Sequence, residues 1–145
     1  MRSVRLPLAV LLLLVAALAL IAGCGGDSGD AERPAAAEPF QVIDVDTLAA
    51  QRDEVQGLQI LDVRTPGEVA GGTIPGALNI PHDEVAAGDT EGLDLDQPIA
   101  AICRSGNRAT TAGDALVAAG AADVRVVRPG GVGTWQDAGY PIVVP

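Results

Sequence analysis

The chain has 145 residues, which leaves room for one domain and no second one once a processed segment is removed, since domains typically hold about 100–150 residues. All nine basic residues are arginines, and residues 24–145 carry seven of them against nineteen carboxylates, a net charge of −12. Such an acidic chain lacks the basic patch that nucleic-acid phosphates require, so we expect no nucleic-acid partner. One histidine and two cysteines are too few for the usual metal clusters, and we expect neither a metal nor a cofactor.

Residues 1–23 have the pattern of an export signal. Arg2 and Arg5 form a positive n-region, Leu6–Leu20 an apolar h-region, and residues 21–23 a small-residue cleavage approach. The following Cys24 completes the segment LIAGC, which resembles the lipobox of bacterial lipoproteins, where the cysteine is acylated and becomes the mature N-terminus. We therefore predict a lipoprotein signal peptide and a lipid anchor on the cell membrane, facing its extracytoplasmic side. The alternative is an uncleaved anchor helix, whose apolar run is barely long enough to span hydrocarbon.

Residues 24–39 are predicted to be the lipidated cysteine and a disordered linker. The composition from Gly25 to Pro39 is Gly, Asp, Ser, Ala, Glu and Pro without periodicity. Fifteen residues reach at most about 50 Å, so the folded domain, predicted over residues 40–145, would work close to the membrane.

From residue 40 onward, short apolar runs alternate with helical patterns. The predicted strands are Phe40–Ile43, Leu58–Val63, Ala77–Ile80, Pro98–Ile102 and Val124–Val127. The predicted helices are Asp46–Val55 with an aspartate cap, a short turn with Thr65 as cap and Pro66 as first residue, Pro81–Ala87, Ala109–Ala119 closed by Gly120, and a last one through Trp135. This alternation predicts an α/β fold with a parallel sheet covered on both faces, in which ligands bind beyond the carboxyl ends of the strands.

The segment Cys103–Arg108 lies at such an end, between a buried strand and a helix. Helix N-termini and short Gly/Ser/Asn loops present unpaired amides to an anion. A thiol placed there, beside the guanidinium groups of Arg104 and Arg108, is favoured as thiolate and becomes nucleophilic. We therefore predict a loop that cradles a sulfur anion on Cys103.

Four stretches resemble the successive signatures of a single-domain rhodanese. They are Leu61–Glu68 (LDVRTPGE), Gly72–Pro81 (GTIPGALNIP), Cys103–Ala109 (CRSGNRA), and Gly130-Gly131 with Trp135. In this order they cover nearly all of residues 40–145. Two positions depart from the family pattern, since Thr73 stands where family members often have His and Val69 where they often have an aromatic residue. Both positions look structural.

The resemblance implies a five-stranded parallel sheet flanked by helices and sulfurtransferase activity through a persulfide on Cys103. The thiolate would attack the outer sulfur of an anionic donor such as thiosulfate, sulfite would leave, and cyanide or a thiol would accept the sulfur. Loop amides would hold the terminal sulfur as an oxyanion hole holds developing charge. The residues concerned are those of the loop: Arg104, Ser105, Gly106, Asn107, Arg108 and Ala109.

Other residues have plainer interpretations. Asp62 and Arg64 are expected to form a structural pair near the sheet end. His82, the single histidine, is expected to be an exposed loop residue, and Trp135 to belong to the core.

Three alternative functions remain open at this point. A cysteine-dependent phosphatase or arsenate reductase also uses a cradled thiolate, but tyrosine-phosphatase loops have five residues between cysteine and arginine, and only four separate Cys103 from Arg108. A non-catalytic rhodanese-like binding module at the membrane surface would usually lack the cysteine. A thiol redox partner would need a second, resolving cysteine near the first. The oligomeric state is not predicted.

Overall fold

The computed structural model describes residues 39–145. The predicted leader, Cys24 and the linker up to residue 38 lie outside the described residues. Within residues 39–145, no helix combines the length and the apolar composition needed to cross a membrane.

Five strands form one parallel sheet with helices between them, which confirms the predicted fold class. The strands are β1 (Gln41–Ile43), β2 (Gln59–Asp62), β3 (Leu78–Asn79), β4 (Ile99–Ile102) and β5 (Val124–Val127). The helices are α1 (Val45–Glu54), α2 (Pro66–Val69), α3 (His82–Ala86), α4 (Asn107–Ala118) and α5 (Val132–Asp137). The strand order is β1-β5-β4-β2-β3, so β4, which leads to Cys103, lies in the middle of the sheet.

The helix starts follow from local capping chemistry. In α1 the cap is Asp44, whose carboxylate accepts the Thr47 N–H at 2.8 Å, so the helix begins at Val45 and the prediction of a start at Asp46 was slightly late. In α2 the predicted cap Thr65 and first residue Pro66 are both confirmed. The α4 helix begins at Asn107, two residues before the predicted start.

The core lies on both faces of the sheet. One face packs against α3 and α4, through residues such as Val63, Val85 and Leu116. The other face packs against α1 and α5, through residues such as Leu48 and Trp135. Full burial of one such aliphatic side chain contributes about 1.5–3 kcal/mol to folding. The predicted buried face of α4 is confirmed at Ala109, Ala112 and Leu116, whereas Ala119 is exposed because the helix has already ended there.

Candidate active site

Cys103 follows the central strand β4 directly and is fully buried. Its Sγ accepts the backbone N–H of Gly106 at 3.1 Å. A buried sulfur that carries negative charge needs such donors, because the surrounding core offers no water to solvate it. One amide of the predicted cradle therefore already points at the thiol.

Gly106 is the N-cap of α4 and has a φ of +99°, in the range that favours glycine. Because glycine has no side chain, no side chain at this position caps the helix. The Gly106 carbonyl accepts the Thr110 backbone N–H, which is the first bond of the helix. A Cβ at this position would lie 2.6 Å from Cβ of Arg128. The start of α4 is thus left open toward Cys103, and no side chain larger than hydrogen fits there without rearrangement.

The turn before α5 forms the wall behind the cysteine. The Val132 N–H donates to the Cys103 carbonyl at 2.8 Å. A Cβ on Gly131 would overlap with that carbonyl oxygen and lie 2.6 Å from the carbonyl carbon of Arg104. Gly131 is therefore required for the close approach of two backbone segments and does more than make the tight turn that the sequence suggests.

Arg108 is fixed by an ion pair with Glu68 of α2. Two guanidinium nitrogens donate to the two carboxylate oxygens at 2.6 and 2.8 Å. Hydrogen bonding to Arg108 is the main cause that lowers the pKa of Glu68 to about 2, with Thr65 contributing. The pKa of Arg108 is raised, chiefly by its hydrogen bonds to Glu68 and to a smaller extent by the nearby Cys103 thiol. This pair connects the loop to a neighbouring helix.

Arg104 points to a cavity of about 320 Å³ beside the loop. Its lining residues come from the loop after β2, α2, the cysteine loop and α5: Arg64, Glu68, Arg104, Val132, Gly133 and Gln136. Ser105 and Asn107 are exposed loop residues, whereas Ala109 is buried in the core beneath them. The loop therefore presents polar side chains outward and is anchored by a small apolar one.

Asp62 and Arg64 form a buried ion pair, with the closest contact at 2.6 Å between Nη2 and Oδ2. Arg64 also donates to the Gly72 carbonyl at 2.7 Å, and Thr73 Oγ1 donates to Asp62 at the same distance. Asn79 donates to the carbonyls of Asp62 and Arg64. This network, which includes Thr73, connects the end of β2 to the segment that leads into β3. Asp62 and Arg64 therefore hold the fold together at this end of the sheet, as expected.

His82 and Trp135 lie apart from the cysteine chemistry. The prediction that His82 is an exposed loop residue was wrong. His82 is the first residue of α3 and is half-buried, and its backbone N–H donates to the Val63 carbonyl. Trp135 is buried, and its indole N–H donates to the Pro141 carbonyl at 2.9 Å. The tryptophan thus belongs to the packing of α5 on the sheet.

Two residues of this site were missed by reading the sequence. Glu68 stands three residues after a threonine cap, a spacing that signals a capping box, but nothing in the sequence indicates its partner forty residues away. The role of Gly131 depends on which backbone lies opposite, and no local pattern carries that information.

Comparison with known proteins agrees with this geometry. Residues 44–138 match the model of the rhodanese-like domain. A sulfurtransferase of Allochromatium vinosum is 34% identical over 103 residues, which cover 71% of this chain and 94% of that protein. The thiosulfate sulfurtransferase GlpE of Pseudomonas putida is 36% identical over 86 residues, covering 59% of this chain and 76% of the relative.

Among solved structures, the crystal structure of a rhodanese-related protein from Thermoplasma volcanium superposes with a TM-score of 0.63 at 32% identity, covering 73% of this chain and all of that one. Fold, sequence and the position of the cysteine loop lead to one assignment. The chain belongs to the rhodanese-like domain family.

Proposed function

We propose that the domain transfers sulfane sulfur from a small anionic donor such as thiosulfate to a cyanide or thiol acceptor, with Cys103 carrying the sulfur as a persulfide. The observation that carries this proposal is the contact of Sγ with the Gly106 amide at an open helix start. Relatives named as sulfurtransferases support the reaction class.

The steps balance without a cofactor. The Cys103 thiolate attacks the outer sulfur of thiosulfate, the bond between the two donor sulfurs breaks, and its electron pair leaves with sulfite. The enzyme keeps a persulfide anion, which is stabilised by the backbone donors at the α4 start and by nearby positive charge. The acceptor then attacks the terminal sulfur, and the Cys103 thiolate leaves as it was.

Two of the arginines around the loop are held in ion pairs with carboxylates. Arg64 is held by Asp62, and Arg108 by Glu68. Arg104 is exposed and borders the cavity, so we assign it the attraction of the anionic donor. The four-residue spacing from Cys103 to Arg108 favours a single sulfur over a tetrahedral phosphoryl group.

We also propose that a lipid on Cys24 holds the domain at the extracytoplasmic face of the membrane. The support comes from the leader, with its positive start, its apolar run and the segment LIAGC. Donor and acceptor would then meet the domain at the membrane surface.

One experiment tests both proposals with a matched pair of variants. The full-length protein is treated with thiosulfate, and the tryptic peptide 65–104, which contains Cys103, is weighed; thiocyanate formation from added cyanide is followed in parallel. We expect Cys103→Ser to gain no sulfur and to lower thiocyanate formation at least about 1000-fold, because the nucleophile is gone. Cys24→Ser should keep the sulfur gain and lose the acyl chains that the unmodified protein carries on its N-terminal cysteine.

Two outcomes would contradict the proposals. Hydrolysis of a phosphomonoester without any sulfur gain on Cys103 would favour the phosphatase. An unmodified protein that still carries residues 1–23 and has no acyl chain on Cys24 would favour an uncleaved anchor helix.

A further inference from the structure

The ion pair between Glu68 and Arg108 has bidentate geometry. Both guanidinium donors are used, at 2.6 and 2.8 Å, and both carboxylate oxygens accept. The two side chains are about one-third exposed or less. Bidentate pairs of this kind fix the orientation of the guanidinium plane as well as its position.

Glu68 is itself held before it meets Arg108. It is the third residue of the α2 capping box, and its Oε2 accepts the N–H of Thr65 at 3.1 Å and the Thr65 hydroxyl at 3.0 Å. A side chain in a capping box has little rotamer freedom left to lose. The carboxylate is therefore pre-positioned by its own helix, and the arginine docks onto it.

Arg108 is the second residue of α4 and lies two residues after Gly106, whose backbone N–H donates to the Cys103 Sγ at 3.1 Å. We propose that Glu68 is a positioning residue: it holds the Arg108 guanidinium at the start of α4, so that this charge faces the sulfur of Cys103 and does not swing into solvent. The role in turnover depends on the proposed sulfur transfer, whereas the effect on thiol reactivity does not.

Two other roles for Glu68 are conceivable, and each makes a different prediction for the reactivity of the Cys103 thiol. If Glu68 mainly neutralises Arg108, removing the carboxylate exposes the thiol to more positive charge and makes it more reactive. If Glu68 only stabilises α2, any change that destabilises α2 to a similar extent slows alkylation equally. Positioning alone predicts a less reactive thiol that depends on Arg108.

The test measures alkylation of Cys103 by iodoacetamide across pH in the full-length protein, read by mass on the tryptic peptide 65–104. We expect Glu68→Ala to slow alkylation near neutral pH about threefold or more and to displace the pH profile of alkylation to higher pH. The reason is that the Arg108 guanidinium, which favours the thiolate, is no longer held near the sulfur. Arg108→Ala should have a similar effect. The double variant should be no slower than Arg108→Ala alone, because the two residues act as one unit.

Val69→Ala is the matched control, because it removes buried apolar packing from α2 and leaves both Thr65 and Glu68 unchanged. We expect its alkylation rate to stay within twofold of the unmodified protein. Faster alkylation in Glu68→Ala, multiplied effects in the double variant, or an equally slow Val69→Ala would each overturn the proposal. Failure of sulfur uptake in the unmodified protein would instead count against the proposed function, and the alkylation comparison would still decide the role of Glu68.

Discussion

Two helices begin at the same edge of the sheet, after neighbouring strands, and their starts are built in opposite ways. The α2 start is closed: the Thr65 side chain and the Glu68 carboxylate bond to backbone N–H groups there. The α4 start is open, because its N-cap is Gly106, which has no side chain. Since the first N–H groups of a helix need partners, the closed start is complete by itself and the open one is prepared for an anion.

The closed start also supports the open one. Glu68 takes part in the α2 cap and in the ion pair with Arg108, so the closed start is bonded to a charged side chain in the first turn of α4. One helix start therefore has its backbone N–H groups bonded to side chains, while the neighbouring start leaves its own without a side-chain cap. Three measurements test whether this difference matters.

The largest loss of stability and activity is expected from a change in the α5 turn, where its backbone packs against the backbone of Cys103. Gly131→Ala would place a Cβ into the Cys103 carbonyl, and the backbone must move to relieve the overlap. We expect a loss of about 2–3 kcal/mol in the free energy of unfolding. We also expect a roughly 100-fold loss of sulfur transfer, because the loop shifts. Urea unfolding and thiocyanate formation measure the two effects.

Gly67→Ala in α2 is the matched control, since a Cβ there meets nothing within 4 Å. It should unfold and react like the unmodified protein. If Gly131→Ala behaved in the same way, the α5 turn would not be the wall of the site.

The second effect concerns the glycine that leaves α4 uncapped. Gly106→Ala adds both the strain of a positive φ and a contact of 2.6 Å with Arg128, so we expect it to cost about 1–3 kcal/mol of stability and to slow sulfur transfer at least about tenfold. Gly120→Ala, at the other end of the same helix, has a similar φ of +92° but meets nothing within 4 Å. We expect it to lose some stability and no activity. Equal activity losses in the two variants would mean that strain in α4 matters and the open start does not.

The smallest effect tests the connection between the two starts. The pKa of Glu68 is about 2 in the folded protein, below its ordinary value of 4.5. A lowered folded pKa contributes stability that is complete above pH 4.5 and is lost as the pH falls toward 2. Since the pair is partly exposed, we expect a contribution of about 1 kcal/mol.

Urea unfolding of the unmodified protein and of Glu68→Gln at pH 7 and at pH 2.5 measures this contribution. The unmodified protein should be the more stable at pH 7, and the difference should shrink toward pH 2.5. A difference that does not change with pH would show that the carboxylate charge is not what holds the two helix starts together.

Local sequence patterns were enough to predict the alternation of strands and helices, the position of Cys103 at a strand end, and the Thr65 cap, because each rests on local periodicity or on residues within one turn. The apolar strands also predicted the parallel sheet, since a strand that is buried on both faces has no polar side. Single boundaries, such as the start of α1 or α4, depended on which of two nearby residues supplied the cap.

Contacts between groups that are distant in the sequence became visible only in the folded structure. Glu68 and Arg108 are forty residues apart and pair because β2 and β4 are neighbours in the sheet, which brings the helices that follow them together. Gly131 must be glycine because the carbonyl of Cys103 lies against it. Strand order sets these contacts, and strand order follows from how the whole chain buries its apolar surface, which no short stretch of sequence encodes.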